Sequence, residues 1–320
     1  MILSHIIIFL ILLLCALVYQ RLAIKFNITD IPNHRSSHQH VTVRGGGILF
    51  PVAIIFWWMV YDFQNTWMVL GIVWISAISL LDDIYSLSSK FRMGVQFLAL
   101  SMAFHDLDLF QQVDWYFLPL IYFVGLGVIN SVNFMDGING ITGLYGLVFF
   151  GSLLAVNAFM PIFDRELLQY EILALCVFLL FNFRKKAIMF AGDIGSISLA
   201  YLMIYFMGKW FLYSGSWTVI LMVLVYGADS FTTLAERIKN KEKVFEPHRK
   251  HLYQLLANEG KMDHVIIAII YALIQMAINF FAFIQPQGMP DPYLALSIML
   301  GLGFVYIVIK VIVVRKYKTA

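Results

Sequence analysis

The chain has 320 residues, 61% of them hydrophobic and 13% charged, whereas a soluble domain has roughly 45–50% apolar and roughly 25% charged residues. With a mean hydropathy of +0.82, this excludes a water-soluble fold and makes the bilayer the solvent of most side chains. The formal charge is +3, and Cys15 and Cys176 both sit inside apolar runs, so neither a disulfide framework nor a zinc pattern is expected.

A helix needs about 20 mostly apolar residues to cross a hydrocarbon core of roughly 30 Å. Apolar runs predict helices over 2–19, 48–61, 67–81, 93–104, 115–129, 141–160, 167–181, 194–212, 217–232, 265–284 and 293–314, about eleven in all. The first has no basic leader and no small-residue cleavage site. Arg21 and Lys25 follow it, so it is taken as a transmembrane helix rather than a signal peptide. Between the first two helices come Asp-Ile-Pro-Asn-His-Arg-Ser-Ser-His at 30–38 and Thr-Val-Arg-Gly-Gly-Gly at 42–47. Consecutive glycines let backbone N–H groups approach an anion, and Arg44 adds charge, which suits a phosphate cradle. A flexible turn with arginine at the headgroups is the plainer account.

The third helix ends in Asp82-Asp83, with Arg92 and Gln96 entering the fourth. Adjacent carboxylates repel, oppose the helix macrodipole at a C-terminus and need compensation near a membrane, for which a divalent cation is a natural partner. Their side chains point about 100° apart on a helix, so they should not share one role. The fifth helix runs into Asn-Phe-Met-Asp-Gly-Ile-Asn-Gly at 133–140, with Asn133 and Asp136 one helical turn apart if the helix continues that far and Gly137 and Gly140 marking where it breaks. The run returns at once to apolar sequence, which excludes a calcium loop of the EF-hand type.

After the seventh helix come Asn182, the basic trio Arg184, Lys185 and Lys186, and Gly-Asp-Ile-Gly-Ser at 192–196, a turn before a helix suited to a metal or phosphate. An N-cap for Asp193 and membrane anchors for the trio are the simpler alternatives. The last large segment, 236–264, holds Glu-Pro-His-Arg-Lys-His at 246–251. Pro247 and Gly260 frame a short expected helix with His248 and His251 on one face, for phosphate contacts or proton transfer. This is not the two-His, one-Glu zinc arrangement of a metalloprotease.

An outward N-terminus puts nearly every Lys and Arg in the cytoplasm and leaves only Arg165 and Lys209 outside, while the outer loops carry Asp62, Asp106, Asp108, Asp114, Asp164, Glu166 and Asp291. The C-terminal Arg315, Lys316 and Lys318 agree. The expectation is an all-α polytopic membrane protein, a single domain over 1–320, with its chemistry at the cytoplasmic face.

In this order the motifs resemble the polyprenyl-phosphate N-acetylhexosamine-1-phosphate transferase superfamily of the glycosyltransferase family 4 type, in its bacterial undecaprenyl-phosphate branch. The resemblance covers most of the chain. It rests on Arg44 with Gly45 to Gly47, Asp82-Asp83, the 133–140 run, the 192–196 turn and His248 to His251. It implies a UDP-N-acetylhexosamine donor, UDP-GlcNAc or a relative, and an undecaprenyl phosphate whose phosphate attacks the donor's β-phosphorus as UMP leaves. It also implies Mg²⁺, with Mn²⁺ as a substitute, and an inner-membrane enzyme priming surface polysaccharide or envelope glycan. By residue, Asp82, Asp83, Asp136 and His248 are catalytic, and Asp193, Asp82 and Asp83 hold metal. Arg44, Asn133, Asn182, Lys185, Lys186, Arg249 and His251 bind nucleotide or phosphate. The partners expected are these two substrates, the lipid bilayer and a second copy in a homodimer, with no nucleic acid.

Three departures from the family pattern leave the donor sugar open. Asn139 stands where many members have a second Asp, Arg-Lys-Lys replaces a proline-containing turn, and the consecutive histidines of some branches are absent. The chain looks more like the branch priming O-antigen or capsule repeats than the one handling the pentapeptide precursor. The competing class is a cation or solute transporter, whose site would lie near the bilayer midplane on broken helices. Here the acids gather at one interface.

Overall fold

The computed structural model describes residues 2–30, 41–243 and 248–318. Residues 31–40 of the first loop and Pro247, the expected start of the histidine-bearing helix, lie outside that set. The chain is almost entirely helical: α1 Ile2–Lys25, α2 Leu49–Val60, α3 Thr66–Tyr85, α4 Ser89–Asp106, α5 Leu109–Gln112, α6 Leu118–Met135, α7 Ile141–Val156, α8 Arg165–Asn182, α9 Gly192–Ser214, α10 Leu224–Lys239, α11 Leu252–Asn258, α12 His264–Asn279 and α13 Pro292–Lys318. Each of the eleven apolar runs falls on one of these, α2, α6 and α10 being led in by short stretches of tighter 3₁₀ helix.

Among the described residues, seven helical segments are long and apolar enough to cross a membrane, and Gly46–Val60 and Ile141–Val156 are shorter. The other two of the eleven, α4 and α8, are long enough but carry three charges each: Lys90, Arg92 and Asp106, and Arg165, Glu166 and Glu171. The polytopic all-α class therefore stands, on fewer self-evident crossings than the apolar runs imply.

Burial is uneven in the way a membrane bundle requires. The central helix α9 has sixteen buried residues, among them Tyr201, Tyr205 and Trp210. Peripheral α1 and α13 present Leu10, Leu14, Leu300 and Phe304 outward, as lipid-facing helices do. Small residues bring backbones together where α2 begins against α9: a Cβ on Gly47 would stand 2.2 Å from Gly195 Cα. Tyr201 passes over Gly71 to donate its hydroxyl to the Met68 carbonyl, tying α9 to α3.

A two-stranded antiparallel ladder, β1 Thr29–Asp30 with β2 Thr42–Val43, closes one end of the bundle. Val43 also bridges to Met189, with Phe190 N–H donating to Val43 O at 2.8 Å and Gly46 N–H to Phe190 O at 2.7 Å. This stitching carries the glycine loop to the start of α9. The ends of α3, α6 and α8 and the starts of α2, α7 and α9 meet there.

Candidate active site

Asp193 lies in the first turn of α9, one step inside the helix rather than before it as the sequence suggests, because Gly192 takes a positive φ of 71° that swings the chain into the helix. A Cβ at Gly192 would stand 2.6 Å from Asp83 Oδ2, so the close approach of that carboxylate requires glycine. Asp83 reaches across from the end of α3. Its Oδ1 accepts Arg44 Nε at 2.8 Å and Asp193 N–H at 3.1 Å, and its Oδ2 accepts Ile194 N–H at 3.3 Å. The buried carboxylate thus satisfies two free N–H groups of the α9 start and neutralises a guanidinium.

Asp82, one residue earlier, turns to the α3–α4 corner. It accepts Arg92 Nη1 at 2.5 Å and Leu87 N–H at 2.6 Å. Arg92 Nη1 also approaches Asp193 Oδ2 at 3.5 Å, and Arg44 Nη2 approaches Asp193 Oδ1 at 3.7 Å. Two arginines therefore flank Asp193, while Asn133 donates its amide to Asp193 Oδ1 at 3.1 Å and to Ser196 Oγ at 3.0 Å. Arg92 stands in the sequence without an assigned role. Its spacing from Asp82 across a turn is the signal that could have found it.

Helix α6 ends at Met135, so Asn133 and Asp136 do not stack on one helical turn. Asp136 leaves the helix and accepts the Thr142 hydroxyl at 2.5 Å. Burial raises its carboxyl to about 7; the Thr142 hydrogen bond and Arg44 oppose the shift and Asp193 adds to it. Asn182 holds the architecture together. Its Oδ1 accepts Gly140 N–H at 2.7 Å and its Nδ2 donates to Met189 O at 2.8 Å, locking the end of α8 to the starts of α7 and α9. Asn139 donates to Arg184 O at 2.8 Å, and its buried Oδ1 has no hydrogen-bond partner.

These groups wall a cavity of about 240 Å³ whose lining includes Arg44, Asn133, Asp136, Asn139, Asn182 and Asp193, together with Asp30, Phe190, Gln254 and His264 among others. Asp30, Gln254 and His264 lie in segments noted in the sequence but are not among the site residues expected from it. Lys185 and Lys186 are outside the lining, Lys185 and Lys186 both pointing to the exterior of the turn after α8. His248 precedes α11 and His251 is its N-cap, so the two do not share a helix face, although their rings lie 5.0 Å apart. At the start of this helix Leu252 N–H donates to Asp229 Oδ1 at 3.2 Å and Gln254 Oε1 accepts the His251 N–H at 3.3 Å in a capping box. Tyr253, on α11, donates to Phe134 O at 2.8 Å and docks this segment beside Asp136. Burial lowers His248 to about 4, with His251, Arg237, Lys310 and Lys250 adding to the shift, so its ring is neutral at pH 7. Arg249 is half-buried and lies outside the lining.

Among the described residues no three His, Cys, Asp or Glu side chains converge as an ion cage. Mg²⁺ needs only one or two carboxylates when waters and substrate phosphates fill the rest of its octahedron. Asp136 and Asp193, which share the cavity wall, fit that demand. Asp82 and Asp83 are outside the cavity lining; their oxygens, like those of Asp193, already meet arginine and N–H donors.

The model for glycosyl transferase family 4 matches residues 65–210, the segment that supplies Asp82, Asp83, Asn133, Asp136, Asn182 and Asp193. A Bacillus subtilis (strain 168) protein named probable undecaprenyl-phosphate N-acetylglucosaminyl 1-phosphate transferase is 26% identical over 280 residues, covering 80% of this chain and 77% of that protein. The undecaprenyl-phosphate alpha-N-acetylglucosaminyl 1-phosphate transferase of Yersinia pestis is 25% identical over 290 residues, 81% of this chain and 78% of its own. A phospho-N-acetylmuramoyl-pentapeptide-transferase of Chlorobium phaeobacteroides (strain BS1) is 27% identical over 214 residues, 52% and 58% of the two chains. With its motifs gathered at one end of a helix bundle, the chain is similar to glycosyl transferase family 4 over residues 65–210 and, over about four fifths of its length, to the two undecaprenyl-phosphate N-acetylglucosaminyl 1-phosphate transferases.

Proposed function

We propose that this protein transfers an N-acetylhexosamine 1-phosphate from a UDP-sugar, UDP-GlcNAc or a related UDP-HexNAc, to a polyprenyl phosphate of the undecaprenyl type. A phosphate oxygen of the lipid bonds to the donor's β-phosphorus, the bond from that phosphorus to the bridging oxygen breaks, and UMP departs with the electron pair. The observation that carries the reading is the cavity at the helix ends, where Arg44, Asn133, Asp136 and Asp193 meet.

Two anionic substrates meeting there need charge stabilisation and alignment rather than a covalent intermediate on the protein. Arg44 and Arg92, braced by Asp83 and Asp82, supply fixed positive charge beside Asp193. Asp193 and Asp136 would hold Mg²⁺, or Mn²⁺, which when bound would neutralise charge on the substrate phosphates. Asn139, with its unpartnered Oδ1, and Phe190 in the same wall suit a planar group carrying an N–H, as a nucleotide base does. The basic residues at this end make the cytoplasm the facing compartment of a bacterial inner membrane, and the product is the lipid diphosphate that primes a surface glycan.

Purified protein incubated with a panel of UDP-sugars and undecaprenyl phosphate is expected to release UMP. Release should stop on thorough chelation and return with Mg²⁺. Folded protein that releases no UMP from any donor, or releases it equally without the lipid phosphate, overturns the reading. Activity that survives chelation removes the metal from it.

A further inference from the structure

A second concavity, about 470 Å³ in volume, lies between α6, α9 and the 3₁₀ stretch Trp217–Val223 that leads into α10. Its walls include Phe104, Leu109, Val128, Met207 and Ile220, and among the described residues lining it only Trp217 has a nitrogen or oxygen in its side chain. An ion, a sugar or a nucleotide would lose its hydrogen bonds to water here without replacement, which leaves hydrocarbon as the chemistry that fits. Phe117, Leu120 and Val124 are exposed, so the groove opens to the lipid around the bundle.

Depth, position and charge select which hydrocarbon. Along α6 the groove runs from Phe117 to Val128, about 16 Å at 1.5 Å per residue, or half of a hydrocarbon core of roughly 30 Å, which suits a chain from one leaflet. Helix α6 ends at Met135 beside Asp136, so the groove occupies the half of the bundle far from the catalytic cavity. The two share no lining residue, and between them Ser131 Oγ lies 3.1 Å from Tyr226 O and 2.8 Å from Ser230 Oγ, fastening α6 to α10. At the far end, exposed Trp115, Tyr116 and Trp217 form the aromatic girdle that marks the headgroup level. Exposed Asp108 and Asp114 bracket the lining residues Leu109 and Val113, and neither 105–120 nor 210–221 contains a Lys or Arg. Lys209, next in sequence to Gly208 of the wall, has Asp164 at the start of α8 as its electrostatic partner. An acidic rim attracts an ammonium group and repels a bare phosphate.

We propose that this groove holds one acyl chain of a bilayer phospholipid from the leaflet opposite the catalytic cavity, with an ammonium-bearing headgroup of the ethanolamine type at the acidic rim. The lipid splints α6 against α9, the helices that bear Asn133 and Asp193 at their other ends. A prenyl phosphate does not suit the rim, because its headgroup carries the wrong sign of charge. Binding is measured without turnover, so the proposal stands or falls separately from the transferase reading.

Native mass spectrometry of the delipidated full chain in detergent, titrated with dioleoyl phosphatidylethanolamine and with dioleoyl phosphatidylglycerol, supplies the test. The ethanolamine lipid is expected to occupy one saturable site and to bind about fivefold tighter than the glycerol lipid. Val128→Phe, which fills the closed end of the groove, should weaken it about tenfold, the equivalent of roughly two buried methylene groups. Leu300→Trp, on the lipid-facing side of α13, should leave it unchanged. Asp108→Asn combined with Asp114→Asn should erase the headgroup preference and keep the chain bound. If Val128→Phe does not fold, Val124→Trp at the exposed mouth takes its place. Equal binding of the two lipids by the unaltered protein, tighter binding of the glycerol lipid or of undecaprenyl phosphate, or the same loss with the groove variant and Leu300→Trp overturns the proposal.

Discussion

Asp83 receives a guanidinium N–H and two backbone N–H groups on one buried carboxylate, so its removal strands three donors. Asp83→Ala should destabilise the protein by about 2–4 kcal/mol, the range for breaking a buried pair tempered by the partial exposure of Arg44. Asp83→Asn, which still accepts, should cost less than half as much. Thermal unfolding in detergent measures both, and an Ala variant with an unshifted midpoint would mean that Asp83 is not a brace. Asp136 makes a second prediction. Its folded carboxyl is raised to about 7, mainly by burial, against a hydrogen bond from Thr142 that favours the ionised form. If the carboxylate is the working form, kcat/KM climbs as pH rises toward 7 and levels off above it, since that ratio reports the free enzyme. Thr142→Val removes the donor, raises the carboxyl further and should move the acid limb to higher pH; a limb that stays put dissociates Asp136 from the profile.

At the scale of elements, the start of α2 and the start of α9 touch backbone to backbone through Gly47 and Gly195. Gly47→Ala has no room and should push α9 away from Asp83, costing about 1–3 kcal/mol by overpacking together with most of the activity. Gly151→Ala, where nothing lies within 4 Å, should leave both nearly unchanged. Equal unfolding midpoints for the two variants would show that the crossing tolerates a methyl group. These elements were partly legible in the sequence. Asp193 stands out because Gly192 and Gly195 surround it, and the helical angle between Asp82 and Asp83 matches the different partners the two carboxylates meet. Helix starts and stops were harder to read. Asp136 lies just beyond α6, and the first N–H of α11, that of Leu252, is met by Asp229 on another helix. Asp229 itself left one signal, a lone acid in an apolar run, which is costly without partners; its partners His251, Leu252 and Tyr271 come from other elements of the bundle. Lys185 and Lys186 form a charged cluster that reads like a phosphate site, yet neither belongs to the cavity lining.

For the whole molecule, the distribution of charge sets the orientation proposed above. In a chain with Cys15 and Cys176 changed to Ala, Lys186→Cys at the cavity end should resist a membrane-impermeant maleimide in intact cells and react after permeabilisation. Gln287→Cys, exposed in the turn between α12 and α13, should react in intact cells; the opposite labelling would invert the proposed topology. The pairing of Arg44 with Asp83 also bears on how the ribosome delivers this protein to the membrane. Arg44 emerges before Asp83, and both precede α9 by many residues, so α3 can enter the insertion machinery with its buried carboxylate already neutralised. In an insertion assay on chains truncated after residue 106, Arg44→Ala should lower the fraction of α3 that becomes membrane-embedded, and equal insertion would mean that Asp83 finds its compensation elsewhere. The ion pair that steadies the finished site would then be an early aid to its own biogenesis, formed before most of the cavity has been synthesised.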